Sequence, residues 1–356
     1  MSIKVLYDRG ITIENLDLEN NKFIEVYDTS NESVILPRVP FKELIEINKS
    51  YFTNCMFAID DGENEPKLFK SNEVKDVMIE IHSTALGDQL AWIPICDLFQ
   101  KKYNCKLQVN CRFPELFQPH YDNISFGRQY FHSEKTKGEK YKFIDRYILG
   151  YSVSGFYNSD ELQVSPIDCR AIGLQQMACY QLGIKPQEVR PNYKSNIEEP
   201  IIKGEYVVIT TSARGDCKEW QYKNGWKEIV RHYKKRNIKV VHVGDNNKTL
   251  KDTINKKGRL EWNKLINIMQ HSKAFIGLPS GLSWFAWSCG ANVTTIDGIT
   301  SEFAYFDCNK VQNIDVCHGC WNDLSLVYTN SMDYCPRNKD YECTKMITPE
   351  MIIEKL

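Results

Sequence analysis

The hydrophobic pattern changes character along the chain. Up to about residue 70, apolar and polar residues alternate in short runs, IKVLYD, ITIENL, KFIEVYD and SVILP, separated by Asp, Asn, Gly and Ser. Period-two alternation of this kind predicts short half-buried strands, as in a small antiparallel sheet or partial barrel. From Val77 the apolar runs become continuous and take turns with helical segments. VMIEI is followed by a helix from about 89 to 103 with Pro94 inside it, then by KLQVN (106–110), a strand within 141–149 and a helix over 168–182. Strands buried on both faces and separated by helices predict a parallel sheet covered by helices. The polar stretch 188–204, with Pro191 and Pro200, predicts a linker. A second series follows it: YVVIT (206–210), a loop (211–220), a helix (225–236), IKVVHVG (238–244), a helix (261–270), then KAFIGLPSGLSWFAWSCGANVTTI (273–296). That last stretch reads as strand, tight turn, helix and strand. Two doubly wound halves facing a cleft are predicted, with ligand at the carboxyl ends of the strands.

Composition narrows the class. Hydrophobic residues make up 42% and charged residues 26% of the 356, ordinary for a soluble globular protein. A formal net charge of -1 gives no basis for nucleic-acid binding or a membrane surface. No apolar run approaches the roughly 20 residues of a membrane helix, and the opening MSIKVLYDRG lacks the apolar core of a secretory signal. A cytoplasmic protein is expected.

Thirteen cysteines are present, and four of them are bunched. Cys317-x2-Cys320, Cys335 and Cys343 lie in a segment without a long apolar periodic run. Their spacing suits a closed tetrathiolate site for zinc or iron, structural because four thiolates leave no open position. A pair of disulfides is the alternative.

Three turns carry candidate chemistry. Ser83-Thr84-Ala85-Leu86-Gly87-Asp88 follows a strand directly, so Asp88 either takes a proton as a general base or serves as a helix cap. Thr210, Thr211, Ser212, Arg214 and Lys218 lie in the loop after the first strand of the second half. They suit phosphate oxygens, or form a solvated basic loop. In Pro279-Ser280-Gly281-Leu282, Ser280 offers a hydroxyl and Gly281 permits close backbone approach at a helix start, where an anion is stabilised.

Taken together, Gly87-Asp88, Lys218-Glu219-Trp220 and Pro279-Ser280-Gly281-Leu282-Ser283-Trp284 resemble the turns of the family 9 ADP-heptose glycosyltransferases. With the cysteine segment added, the whole chain is similar to the bacterial autotransporter heptosyltransferases. The resemblance implies a GT-B fold of two Rossmann-like domains, with boundaries at 1–75 (β-rich accessory region), 76–195 (acceptor domain), 196–306 (nucleotide-sugar domain), 307–345 (four-cysteine metal finger) and 346–356 (terminal helix). It implies inverting transfer of heptose from ADP-heptose to serine hydroxyls of an autotransporter adhesin. Asp88 would be the base and Lys218 would neutralise the leaving diphosphate. Thr84, Leu86, Gly87, Thr211, Ser212, Ser280, Gly281 and Leu282 would contact substrate. Cys317, Cys320, Cys335 and Cys343 would hold iron(III), with zinc as the alternative, and no metal is needed for transfer. A ring-like homo-oligomer, up to a dodecamer, is implied. Pro279 and Trp284 depart from the family pattern, which has an acidic residue and a His there. The alternatives are a glycosyltransferase of the same fold using another sugar nucleotide or a glycan acceptor, and a catalytically inactive metal-finger assembly protein.

Overall fold

The computed structural model describes the chain except residues 1–2, 9, 17–21, 31, 72–73, 130–144, 152–164, 245–249, 259 and 327–332. The chain divides into two compact units. Met1–Thr84, Ile95–Cys169 and Gln175–Gln187 form the first; Ala85–Pro94, Arg170–Leu174 and Glu188–Leu356 form the second.

In the first unit the alternating runs become strands: β1 (Ile3–Tyr7), β2 (Ile11–Asn15), β3 (Phe23–Asp28), β4 (Ser33–Pro40), β5 (Leu44–Ile47), β6 (Cys55–Asp60) and β7 (Lys67–Lys70). They build two antiparallel sheets, ordered β1-β2-β5 and β4-β3-β6-β7. The continuously apolar runs build a parallel sheet from β8 (Asp76–Ile81), β9 (Lys106–Cys111), β10 (Ile124–Arg128) and β11 (Asp145–Leu149), ordered β10-β9-β8-β11. Residues 141–144 of the strand expected over 141–149 lie outside the described residues. Phe52, between β5 and β6 in the chain, packs against Phe99 and Tyr103 of the helix that follows β8 and against Tyr147 of β11, with ring centroids 5.0–5.4 Å away. These edge and tilted pairs bury large apolar area in one core.

Helix α1 (Leu86–Tyr103) follows β8. It starts three residues before the expected position, because Gly87 reads as a breaker while tertiary packing holds it in the first turn. Leu90, Ala91, Trp92, Ile93, Ile95, Cys96 and Phe99 are buried, so α1 is apolar around most of its circumference and is a core helix. Its first turns cluster with the second unit and the rest with the first. A short α2 (Pro114–Phe117) and α3 (Leu174–Gln181) complete this part of the chain.

The second unit holds a six-stranded parallel sheet: β12 (Tyr206–Ile209), β13 (Lys239–His242), β14 (Ile254–Asn255), β15 (Phe275–Gly277), β16 (Val293–Ile296) and β17 (Asn309–Val311). Their order is β14-β13-β12-β15-β16-β17. Every residue of β12, β15 and β16 is buried, as expected for strands covered on both faces. Helices α4 (Gly225–Lys234), α5 (Trp262–Gln270) and α6 (Gly281–Ser288) alternate with these strands, and the short α7 (Glu342–Lys345) and α8 (Pro349–Ile353) end the chain. No helix among the described residues is long and apolar enough to cross a membrane.

Candidate active site

From β12 the chain winds outward to β13 and β14, then returns to the other side of β12 at β15. The crevice of this sheet therefore opens between the carboxyl ends of β12 and β15. Thr210 follows β12, and α6 begins four residues after β15. The missing side chain of Gly244 leaves space there. A Cβ on Gly244 would lie 3.1 Å from Thr210 Oγ1, 3.7 Å from Leu282 Cδ1 and 3.9 Å from Ser212 Oγ. Thr210 is fully buried, and its Oγ1 has no hydrogen-bond partner. The Oγ of Ser280 is buried without a partner too, although Ser280 is the N-cap of α6 and could have bonded the helix. Orphaned buried hydroxyls are uncommon in folded proteins because each forfeits its hydration. Beside the free N–H groups and positive end of α6, they form a lining that an anion with several acceptor oxygens completes.

The start of α1 is pressed against the start of α6. A Cβ on Gly281 would sit 2.9 Å from Leu86 Cβ and 3.0 Å from the Gly87 backbone nitrogen. A Cβ on Gly87 would sit 3.1 Å from Trp284 Cδ1 and 3.3 Å from Gly281 Cα. The two glycines thus let two helix N-termini meet backbone to backbone. Asp88 lies in the first turn of α1 and is buried, where a carboxylate is favoured by the helix dipole. Trp284 stands where the resembled pattern has a His. It is buried in a ring cluster with Trp287, Tyr305 and Phe306, at centroid distances of 5.6, 5.2 and 4.7 Å. Its edge supports Gly87. The Tyr305 hydroxyl donates to the Ser280 carbonyl at 2.9 Å and anchors the turn, which no local sequence signal disclosed.

Thr211 is buried, and its Oγ1 lies 3.0 Å from Nε2 of His242 on β13. Burial, with Lys257 adding to it, pushes the His242 pKa down to about 4, so the ring is neutral at physiological pH. Sequence reasoning passed over His242 because one His in an apolar strand carries no motif. Lys218 ends a 3-10 turn (Asp216–Lys218) and is half-buried. Among the described residues no carboxylate pairs with its ammonium group. Trp220 secures this loop: its Nε1 donates to the Ile347 carbonyl at 2.8 Å, and its ring fills the space over Gly225, where a Cβ would approach to 2.4 Å. Arg214 is exposed. In the first unit, Thr84 follows β8, and its carbonyl accepts from Arg112 Nη1 at 3.2 Å.

The four bunched cysteines are neighbours. Burial, reinforced by Cys320, Cys317 and Cys335, pushes the Cys343 thiol up to about 12. Cys317 Sγ accepts from Arg337 Nη1 at 3.5 Å, and Cys335 Sγ accepts from the Lys339 backbone N–H at 3.2 Å. Donors of this kind suit thiolates. Among the described residues, however, no three His, Cys, Asp or Glu side chains are grouped closely enough to hold a metal ion. The segment is tied to the sheet through Gly298, whose Cβ would lie 2.9 Å from Cys343 Sγ, and through the Gly319 N–H bond to the Gly298 carbonyl at 3.0 Å.

Residues 171–333 match glycosyltransferase family 9 (heptosyltransferase). The chain is 29% identical over 367 residues to the autotransporter heptosyltransferase TibC of Escherichia coli O78:H11, covering 97% of this chain and 87% of TibC. A crystal structure of TibC, described as a bacterial iron-containing dodecameric glycosyltransferase, superposes with a TM-score of 0.85 at 25% identity, covering 99% of this chain and 94% of that one. Over nearly its whole length the chain resembles the autotransporter heptosyltransferases. It is therefore a glycosyltransferase with an α/β fold built on parallel sheets. A second crystal structure, of TibC in complex with ADP-D-beta-D-heptose, superposes with a TM-score of 0.84 at 24% identity over 99% of this chain and 94% of that one. An autotransporter heptosyltransferase described as inactive, BimC of Burkholderia thailandensis, is 27% identical over 327 residues, covering 87% of this chain and 75% of BimC.

Proposed function

We propose that this glycosyltransferase is an autotransporter heptosyltransferase that moves heptose from ADP-heptose to serine hydroxyls of an autotransporter protein in the cytoplasm, with inversion at the sugar carbon. The observation that carries the proposal is the meeting of the α1 and α6 N-termini at Gly87 and Gly281, beside the unpartnered hydroxyls of Thr210 and Ser280. The leaving nucleotide diphosphate gains negative charge as the glycosidic bond breaks. The end of α6, Ser280, Gly281, Leu282, Thr211, Ser212 and the Lys218 ammonium are the groups we assign to stabilise it, without a divalent ion. The serine hydroxyl is a weak acid, so a base must take its proton as the new bond forms. We assign that role to Asp88, with Leu86, Gly87 and Thr84 positioning the acceptor beside it. In this reading the fold is GT-B, with residues 76–195 serving the acceptor and 196–306 the donor. The complex of TibC with ADP-D-beta-D-heptose supports the choice of donor.

We further assign Cys317, Cys320, Cys335 and Cys343 as ligands of one structural metal, iron before zinc. The four-sulfur donor set and the N–H groups directed at Cys317 and Cys335 fit this role. The metal would cross-link a segment that lacks a core of its own. The iron-containing dodecamer of TibC also supports assembly of this chain into a large ring.

The test uses purified protein, ADP-heptose and a serine-rich autotransporter fragment, read by intact mass. A heptose increment is expected. Asp88→Asn should retain ADP binding and lose about 10²–10⁴-fold in transfer rate; full activity in that variant would remove Asp88 from the mechanism. ADP binding with no turnover on any donor would favour the inactive reading, for which BimC is the precedent.

A further inference from the structure

A chain of charged side chains climbs one face of the first parallel sheet to its carboxyl edge. Glu80 and His82 are two residues apart at the end of β8 and so share a face. Ile148 of β11 is in register with Glu80, which puts Arg146 on that face as well. Arg146 is 4% exposed. Its Nη2 donates to Glu80 Oε1 at 2.8 Å, and its Nη1 lies 3.1 Å from Asp8 Oδ1. Glu80 Oε2 lies 3.5 Å from His82 Nε2, and the His82 side chain is 45% exposed. Burial works against the Glu80 charge, but the bonds from His82 and Arg146 outweigh it and hold the carboxyl at about 2. The buried end of the chain is thus permanently ionic, and its tip is an imidazole in water.

The tip sits at a defined place. The order β10-β9-β8-β11 means that the chain winds from β8 to β9 and β10 on one side, then returns to the other side at β11. The crevice of this sheet therefore opens between the carboxyl ends of β8 and β11. His82 is the residue after β8 and Gly150 the residue after β11. The His82 N–H donates to the Leu149 carbonyl at 2.7 Å. The missing side chain of Gly150 leaves room, since a Cβ there would lie 3.4 Å from His82 Cβ. Gln181 fixes Gly150 from both sides, its Nε2 donating to the Gly150 carbonyl at 2.5 Å and its Oε1 accepting from the Gly150 N–H at 3.3 Å.

A half-exposed His at a strand end does not require a buried Arg–Glu pair behind it, and desolvating that pair is unfavourable. The pair holds one ring nitrogen and leaves the other for a ligand. We propose that His82, oriented by Glu80 and Arg146, is an acceptor-binding residue that hydrogen-bonds a hydroxyl-bearing polypeptide laid along the carboxyl edge of β8 and β11. This rests on the transfer reading above, in which the acceptor is a serine-bearing polypeptide.

The test measures the dissociation constant of a fluorescently labelled serine-rich autotransporter fragment by anisotropy, together with KM for fragment and for ADP-heptose. His82→Ala should weaken fragment binding and raise the fragment KM about tenfold, the effect of one hydrogen bond, and leave the ADP-heptose KM within about twofold. His82→Gln, which keeps a hydrogen-bonding side chain, should recover most of the affinity. Glu80→Gln should weaken binding by an intermediate amount, with melting measured alongside to confirm the fold. Fragment binding unchanged in His82→Ala overturns the proposal, as does an equal rise in both KM values. Fragment bound normally by the wild type but never glycosylated would refute the transfer reading and leave His82 to be judged by binding alone. No binding by the wild type would overturn both.

Discussion

Gly281 has no room for a side chain. The atoms nearest its Cβ position are Leu86 Cβ and the Gly87 nitrogen, one of them backbone, so neither can swing away. Gly281→Ala must push the start of α1 off the start of α6. We expect a loss of roughly 1–3 kcal/mol, the range for overpacking a filled site, and weaker ADP binding. Melting and ADP titration check both; a variant that melts and binds like the wild type would show that the contact yields freely. Trp220 makes a second residue-scale case. In the motif it is a companion of Lys218; in the fold it ties the Lys218 loop to the Ile347 carbonyl. Trp220→Phe keeps most of the apolar ring and removes the donor. It should lower stability by about 1 kcal/mol and raise the ADP-heptose KM while leaving kcat near the wild-type value. A fall in kcat alone would argue against this positioning role. Ser280, Gly281 and Gly87 were legible as turn residues from their order in the sequence. Tyr305 was not, because its hydrogen bond joins residues 25 apart through the fold.

The strands of the second unit were the most legible elements, since strands buried on both faces leave uninterrupted apolar runs. Helix α1 starts three residues before the position its sequence predicts because local propensity penalises Gly87, while the α6 contact requires it. Strand β13 carries a consequence that its apolar pattern conceals. With the His242 pKa at about 4 in the fold, the unfolded chain takes up a proton at this residue as pH falls below about 6.5 and the folded chain does not. Stability should therefore fall with acid across the window from 6.5 to 4, by up to about 3 kcal/mol. Asp145 at the start of β11 acts in the opposite sense. Burial, with Asp76 adding repulsion, raises its carboxyl to about 6, so the fold retains a proton that the unfolded chain gives up, and this contribution is lost as pH rises toward 6. Urea unfolding at pH 7, 5.5 and 4.5 separates the two. His242→Gln should flatten the acid loss and Asp145→Asn should steepen it; identical slopes in all three proteins would refute both assignments.

At the scale of the whole molecule, the proposed metal and ring make joint predictions. Protein purified without chelator should contain one metal per chain by elemental analysis, and Cys320→Ser or Cys343→Ser should abolish it. Metal-free wild-type protein would remove the finger assignment. Sedimentation of the loaded protein should give a species many times the 41.5 kDa of one chain, and a monomer under all conditions would exclude the ring. By itself the sequence determined the alternation of strands and helices, the β-rich start, the order of the three turns and the bunching of the cysteines. All of these are written in local periodicity and spacing. Only the tertiary structure decided that two glycines 194 positions apart bring two helix ends together, that Trp284 packs against Gly87, and that Arg146 and Glu80 stand behind His82. Those facts depend on which residues the packed sheets and helices bring within a few ångströms, and no pattern along the chain encodes distances between remote positions.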